Sequence, residues 1–229
     1  MLGGIRECTV ACSQEQRKPM GHLTPPFLIA ILIAFTVHEF SHGLVALWLG
    51  DPTAKEEGRL TLNPAAHLDP LGALLFLTIG FGWGKPVPIN PRYFRNEKRG
   101  ITLTALAGPG SNLLLAFVTL FIGKIFLLFP LQVPAGVARF SFELFQNLLF
   151  LNLGLMAFNL LPIAPLDGSK ILTVFIPWRF ESAYERFLQR GPVILLALLI
   201  GERFLGIPLI IGWITAVLHP ILKIMERFL

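Results

Sequence analysis

Charge is scarce in this chain: 14% of its 229 residues are Asp, Glu, Lys or Arg, against 54% that are hydrophobic. Soluble globular domains carry roughly a quarter of their residues as charge, so an ordinary water-soluble fold is excluded. Cysteine is nearly absent. The two present, Cys8 and Cys12, sit in a polar N-terminal stretch, at a spacing that matches neither a zinc knuckle nor a CxxC redox pair, and they say nothing of the compartment. The first nineteen residues lack an apolar core, so no secretory signal peptide is evident. Met20 directly precedes the first apolar run, and residues 1–19 read as a start-site extension or a tail. Internal repeats and low-complexity tracts are missing too.

Long apolar runs are what the chain has instead. Crossing a bilayer takes roughly twenty apolar residues, and the runs 27–50, 101–123 and 144–166 meet that length. Leu71 to Phe81 falls short of it and is loosened by glycines, which suits an irregular crossing or a re-entrant segment sheltered by other helices. Leu60-Thr61-Leu62 reads as a short strand entering a turn at Asn63-Pro64. Two further short runs, 192–200 and 204–218, flank Gly201-Glu202-Arg203 and are expected to form one bent helix or a hairpin.

The fold class expected is therefore an all-α polytopic membrane protein. Its bundle has about four to six membrane segments, with a short β or re-entrant element between the first and third. A polar tail over residues 1–24 precedes a single membrane-embedded domain over 25–229. The net charge of +5 lies in loops between the apolar runs, so positive-inside orientation explains it and nucleic acid is not an expected partner. The loops holding Lys85, Arg92, Arg95, Lys98 and Arg99, and then Lys170, Arg179, Arg186 and Arg190, are expected on the cytoplasmic side. The loop from Pro130 to Glu143 is expected outside.

Inside the first apolar run stands His38-Glu39-Phe40-Ser41-His42. Residues four apart on a helix lie one turn above each other, so His38 and His42 point the same way and can grip one divalent metal. Glu39 lies beside that face and can reach a water there without ligating the metal, as the base of a H-E-x-x-H zinc hydrolase does. Ionisable groups at bilayer depth are costly, which favours a functional reading over an accident of packing. A catalytic zinc usually has three protein ligands, and aspartate is rare enough to enumerate. Asp51 follows a helix terminus, Asp69 precedes a proline in a loop, and Asp167 closes an apolar segment, where Asp-Gly is also an ordinary turn signal. Among the remaining polar residues, His67 is a candidate contact to ligands or substrate, or simply a solvated loop histidine. Asn147 and Asn152 are candidates for bonds across helices.

A second motif, Asn159-Leu160-Leu161-Pro162 through Leu166-Asp167-Gly168, follows downstream. Together with His38 to His42 it resembles the site-2 protease family of intramembrane zinc metalloproteases. Leu62-Asn63-Pro64, His67-Leu68-Asp69-Pro70, Gly82 to Pro88 and Ala107-Gly108-Pro109 resemble the compact branch of that family without PDZ or CBS domains. The resemblance spans roughly residues 27 to 170. It implies one Zn2+ per chain held by His38, His42 and Asp167, with Glu39 as general base and Asn159 near the scissile strand or its oxyanion. Gly108 and Asn112 would form the G-x-x-x-N element beside the site, in contact with substrate, and Trp83 to Asn90 the membrane-associated sheet and loop that guide substrate. The implied substrate is a single-pass transmembrane protein in the cell membrane, cut at a site reached from the cytoplasmic side. A membrane zinc transporter and a non-catalytic membrane-helix-binding protein are the alternatives.

Overall fold

A computed structural model of the chain describes residues 23–79, 82–128, 133–206 and 208–227. Most of the expected polar tail, with Cys8 and Cys12, lies outside them. Helix α1, Pro25–Trp48, begins behind Thr24, whose Oγ1 accepts the Phe27 N–H at 3.4 Å. Pro25 and Pro26 occupy its first turn, where a missing donor costs little. Its buried positions include Ala30, Ala34, His38, His42 and Ala46, each four residues from the next. That spacing makes one stripe, with two imidazoles set into a row of small residues that lets neighbouring helices come close.

Among the described residues six more α-helices lie beyond α1 and a single turn, α2, at Thr53–Glu56. They are α3 (Pro70–Ile79), α4 (Glu97–Leu128), α5 (Ala135–Asn159), α6 (Asp167–Leu172), α7 (Glu181–Leu205) and α8 (Leu209–Glu226). Among the described residues four helices are long and apolar enough to cross a membrane: α1, residues 97–126 of α4, α5 and α8. Helices α1, α4 and α5 pack mutually, α6 docks on α4, and α8 docks on α5. Along α4 the residues Ala105, Gly108, Asn112 and Ala116 are buried at spacings of three and four, a second narrow stripe facing the first. Leu114, Phe150 and Ile211 are exposed on the outer surface, as lipid-facing residues would be.

The β or re-entrant element expected between the first and third segments is not borne out. The described residues hold no sheet: Leu60 to Leu62 is a run of bends, followed by a 3-10 turn at Pro64–Ala66. Local bonds take the groups a ladder would need, since Thr61 Oγ1 accepts the Asn63 N–H and Asn63 Oδ1 accepts the Ala65 N–H, both at 3.1 Å. Downstream, Pro86 and Pro88 remove donors from the extended segment, and pairing is limited to one antiparallel bridge between Leu68 and Gly84. The short run after Pro70 is a ten-residue helix, α3. The late apolar runs also divide differently. Helix α7 continues through Gly201-Glu202-Arg203 and stops at Gly206, whose φ of 67° suits glycine, and Glu202 then accepts the N–H groups of Ile210 and Ile211 at the start of α8.

At the C-terminal end of α1 the connecting segments are tied to one another. Asp51, fully buried, accepts the Thr53 N–H and hydroxyl with one oxygen and the Asn90 N–H at 2.7 Å with the other. Arg59 donates to the carbonyls of Lys85 and Pro86 at 2.7 and 3.2 Å. Lys98, in the first turn of α4, pairs with Glu181 and donates to the Ile176 carbonyl. Arg59, Lys85 and Lys98 thus stand among the connecting segments tied together there.

Candidate metal centre

Asp167 reaches the stripe of α1 because α5 ends at Asn159 and the chain turns back before α6. Pro162 and Pro165 cannot continue a helix, and the Ala164–Pro165 bond is cis. Gly168 permits the turn: a Cβ there would lie 2.3 Å from the Leu160 carbonyl oxygen and 2.4 Å from that of Leu161. Ser169 Oγ donates to the Leu166 carbonyl at 2.7 Å, and the Tyr184 hydroxyl donates to the Ser169 carbonyl from α7. Burial pushes the Tyr184 phenol above its usual range, which keeps it a donor.

The result is a triangle of donor atoms. His38 Nε2 and His42 Nε2 are 3.0 Å apart, and each lies 3.2 Å from Asp167 Oδ2, with all three residues buried. The other ring nitrogens are already committed. His42 Nδ1 lies 2.7 Å from the Thr104 carbonyl, which can only accept, so Nδ1 carries the proton. His38 Nδ1 lies 2.7 Å from Asn112 Oδ1; the Asn112 Nδ2 donates to the Ala34 carbonyl at 3.1 Å and to Asn152 Oδ1 at 2.8 Å, which identifies Oδ1 as the atom facing His38. In the neutral rings both Nε2 atoms are therefore lone pairs aimed at one point, together with a carboxylate oxygen.

That arrangement fits a cation. The contacts to Asp167 Oδ2 are not aligned as hydrogen bonds, which leaves a buried carboxylate oxygen with no donor. Tetrahedral zinc with bonds of about 2.0–2.1 Å separates its ligand atoms by roughly 3.3 Å, close to the spacing here. Second imidazole nitrogens donating to a carbonyl and an amide oxygen are the usual supports of metal-binding histidines. Gly108 of α4 makes the space: a Cβ there would lie 2.4 Å from His42 Nε2.

The other sequence candidates are placed as follows. Glu39, one residue from His38, accepts the Val87 N–H at 3.0 Å through Oε2. Val87 and His42 both border a cavity of about 770 Å³ that runs out among Ile101, Lys170, Glu181 and Tyr184. Lys170 stands 3.7 Å from the second oxygen of Asp167. Asn159 donates to its own helix at the Leu155 carbonyl, 3.0 Å away, and its Oδ1 has no partner among the described residues. Asn112, expected to contact substrate, is fully buried with both ends of its amide occupied, so its bonds go to His38 and to two neighbouring helices. Asn152 makes the expected bond across helices.

His67 does not join the cluster. It is fully buried rather than solvated: Nε2 bonds the Thr61 carbonyl at 2.8 Å, and its own carbonyl accepts the Lys85 N–H at 2.8 Å, which pins the two connecting segments together. Reasoning from sequence missed the Thr104 carbonyl as the support of His42. No sequence signal marks it, since the carbonyl that Pro109 leaves without its helical partner is that of Ala105.

Residues 129–200 match the family described as Peptidase family M50. The chain is similar to the Bacillus subtilis protein named "Putative zinc metalloprotease YwhC", 39% identical over 178 residues that cover 78% of this chain and 81% of that protein. It is also similar to "Putative zinc metalloprotease Rip2" of Mycobacterium tuberculosis, 32% identical over 197 residues covering 82% of this chain and 69% of its relative. No solved structure matches the chain.

Proposed function

Since this chain belongs to peptidase family M50, the site-2 proteases, we propose that His38, His42 and Asp167 hold one Zn2+ and that Glu39 is the base of its reaction. The chain is a multi-pass membrane protein and an intramembrane zinc metalloprotease. A zinc transporter or a non-catalytic helix-binding protein is not favoured by these relatives. The observation that carries the metal assignment is the convergence of two imidazole Nε2 atoms and a carboxylate oxygen without a hydrogen-bond donor, within 3.2 Å of one another.

Bound there, zinc would supply Lewis acidity toward a peptide carbonyl and toward water. The chain's own residues do the rest. Glu39 takes a proton from the attacking water and delivers it to the leaving amine, and the Val87 N–H on Oε2 leaves Oε1 for that task. The Thr104 carbonyl and Asn112 Oδ1 keep both imidazoles turned toward the ion. Asn159 Oδ1 is an acceptor for a backbone N–H of the substrate strand, because its amide nitrogen is already used.

A single-pass transmembrane helix is the substrate this reading favours, unwound near the cut because helical carbonyls are tied up in i to i−4 bonds. Counting 1.5 Å per residue, His42 and His38 lie about 9 to 15 Å below the end of α1, so cleavage falls within the bilayer near one face. That end holds the basic loops, which suits the cytoplasmic side of the cell membrane. Water and polar parts of the substrate would enter through the cavity that opens there. Residues 25–229 form one functional domain on this reading.

The test is co-expression with candidate single-pass proteins, comparing wild type with Glu39→Gln. A truncated product that forms only with wild type supports the reading. No product from a broad panel, with zinc moved across liposomes by the purified protein, overturns it.

A further inference from the structure

We propose that Asn152, which touches none of the three metal-directed residues, is a positioning residue for the metal centre: it fixes the proton of His38 by locking the amide of Asn112. This rests on the zinc reading above. The two histidines are supported unequally. His42 Nδ1 donates to a backbone carbonyl, which has one hydrogen-bonding sense. His38 Nδ1 faces a side-chain amide, whose two ends have nearly the same shape and opposite hydrogen-bonding character.

Rotated by 180°, the Asn112 amide would offer Nδ2 to His38. The ring would then have to accept at Nδ1 and carry its proton on Nε2, the atom 3.2 Å from Asp167 Oδ2. A donor would stand where a lone pair is needed. Two acceptors oppose that rotation. One is the Ala34 carbonyl, which belongs to the backbone of α1 and serves its ladder. The other, closer by 0.3 Å, is Asn152 Oδ1 at 2.8 Å.

The orientation of Asn152 is set in turn, since its Nδ2 donates to the Leu148 carbonyl at 2.7 Å and leaves Oδ1 toward α4. The sense of the chain thus runs from the backbone of α5, through Asn152 and Asn112, to the nitrogen of His38 that must stay unprotonated. Both asparagines have 0% exposure, so neither partner is in reach of bulk solvent. Mutating residues that orient metal-binding histidines typically costs about 10- to 100-fold in metal affinity.

The experiment measures zinc affinity of the purified full chain in detergent by competition with a chelating dye. It is paired with ¹⁵N spectra of the histidine rings in the metal-free protein and with thermal unfolding. Asn152→Leu is expected to weaken zinc binding by about tenfold, the low end for an indirect contact, and to move His38 toward the Nε2-protonated form. Asn152→Asp, whose neutral carboxyl keeps a donor and an acceptor of the same shape, restores most of the affinity. Leu153→Ala, equally buried on the next position of α5, lowers thermal stability and leaves zinc affinity and the His38 spectrum unchanged. Should Asn152→Leu not fold, Asn152→Ser carries the same expectation.

Wild-type affinity and an unchanged His38 tautomer in Asn152→Leu or Asn152→Ser overturn the proposal. So does an equal loss in Leu153→Ala. If the wild-type chain binds no zinc, it is the metal assignment that falls, and this proposal with it.

Discussion

Replacing Gly108 with alanine tests how closely α4 must approach the two histidines. The new methyl carbon would sit 2.4 Å from His42 Nε2, 2.5 Å from His38 Cε1 and 2.6 Å from His42 Cε1. Ordinary heavy-atom contact begins near 3.5 Å, so about 1 Å of separation has to be found. The rings cannot swing aside, because each is held by a 2.7 Å bond from Nδ1. Separating α1 from α4 would disturb the stripes that pack them. Overpacking of this kind costs about 1–3 kcal/mol, and a displacement of about 1 Å at a reacting centre costs on the order of 100-fold in rate. Gly108→Ala should therefore lose zinc affinity and about 100-fold of cleavage rate on a reconstituted transmembrane substrate. Gly110→Ala is the control: nothing lies within 4 Å of its added Cβ, and a glycine-to-alanine change inside a helix gains up to about 1 kcal/mol. Wild-type zinc affinity and cleavage in Gly108→Ala would refute the close approach, and equal losses in both variants would point to general damage to α4.

Three other outcomes follow from the same contacts. Glu39→Gln keeps an oxygen for the Val87 N–H but cannot take a proton, so metal analysis should find wild-type zinc while cleavage falls by about 10²–10⁴. Gly168→Ala forces a Cβ against the Leu160 and Leu161 carbonyls and should shift Asp167, weakening zinc in a chelator competition although no metal-directed residue is changed. Asp51→Ala leaves the Asn90 N–H without its partner and should lower stability by about 1–3 kcal/mol, with faster proteolysis between residues 82 and 96 and unchanged zinc content.

The parts of the fold that were legible are those set by local pattern. The apolar lengths of α1, α4 and α5 and the four-residue spacing of His38 and His42 are visible in a few dozen consecutive residues. The alanines continuing that spacing, at 30, 34 and 46, mark the buried face of α1 as plainly as the histidines do. Local pattern leaves Asp167 as one of three aspartates, because its arrival beside α1 depends on a turn involving residues more than a hundred positions away. The strand at Leu60 was misread because its β-prone residues are outweighed by side-chain bonds from Thr61 and Asn63 and by the prolines of the segment it would have paired with. The apolar runs flanking Gly201-Glu202-Arg203 suit one bent helix or a hairpin, and neither run shows that the helix continues to Leu205 or that the Glu202 carboxylate caps the next one. The partners of Asn112 are not legible either, because a motif shows which residues stand together and not which way a side chain faces.

X-ray absorption at the zinc edge of the purified, metal-loaded protein tests the central claim most directly, alongside metal counts for His38→Ala, His42→Ala and Asp167→Ala. The account predicts one zinc per chain in a shell of nitrogen and oxygen at about 2.0–2.1 Å that contains two imidazoles, and reduced zinc in all three variants. A shell without imidazole, or full zinc content in the Asp167→Ala protein, would contradict it.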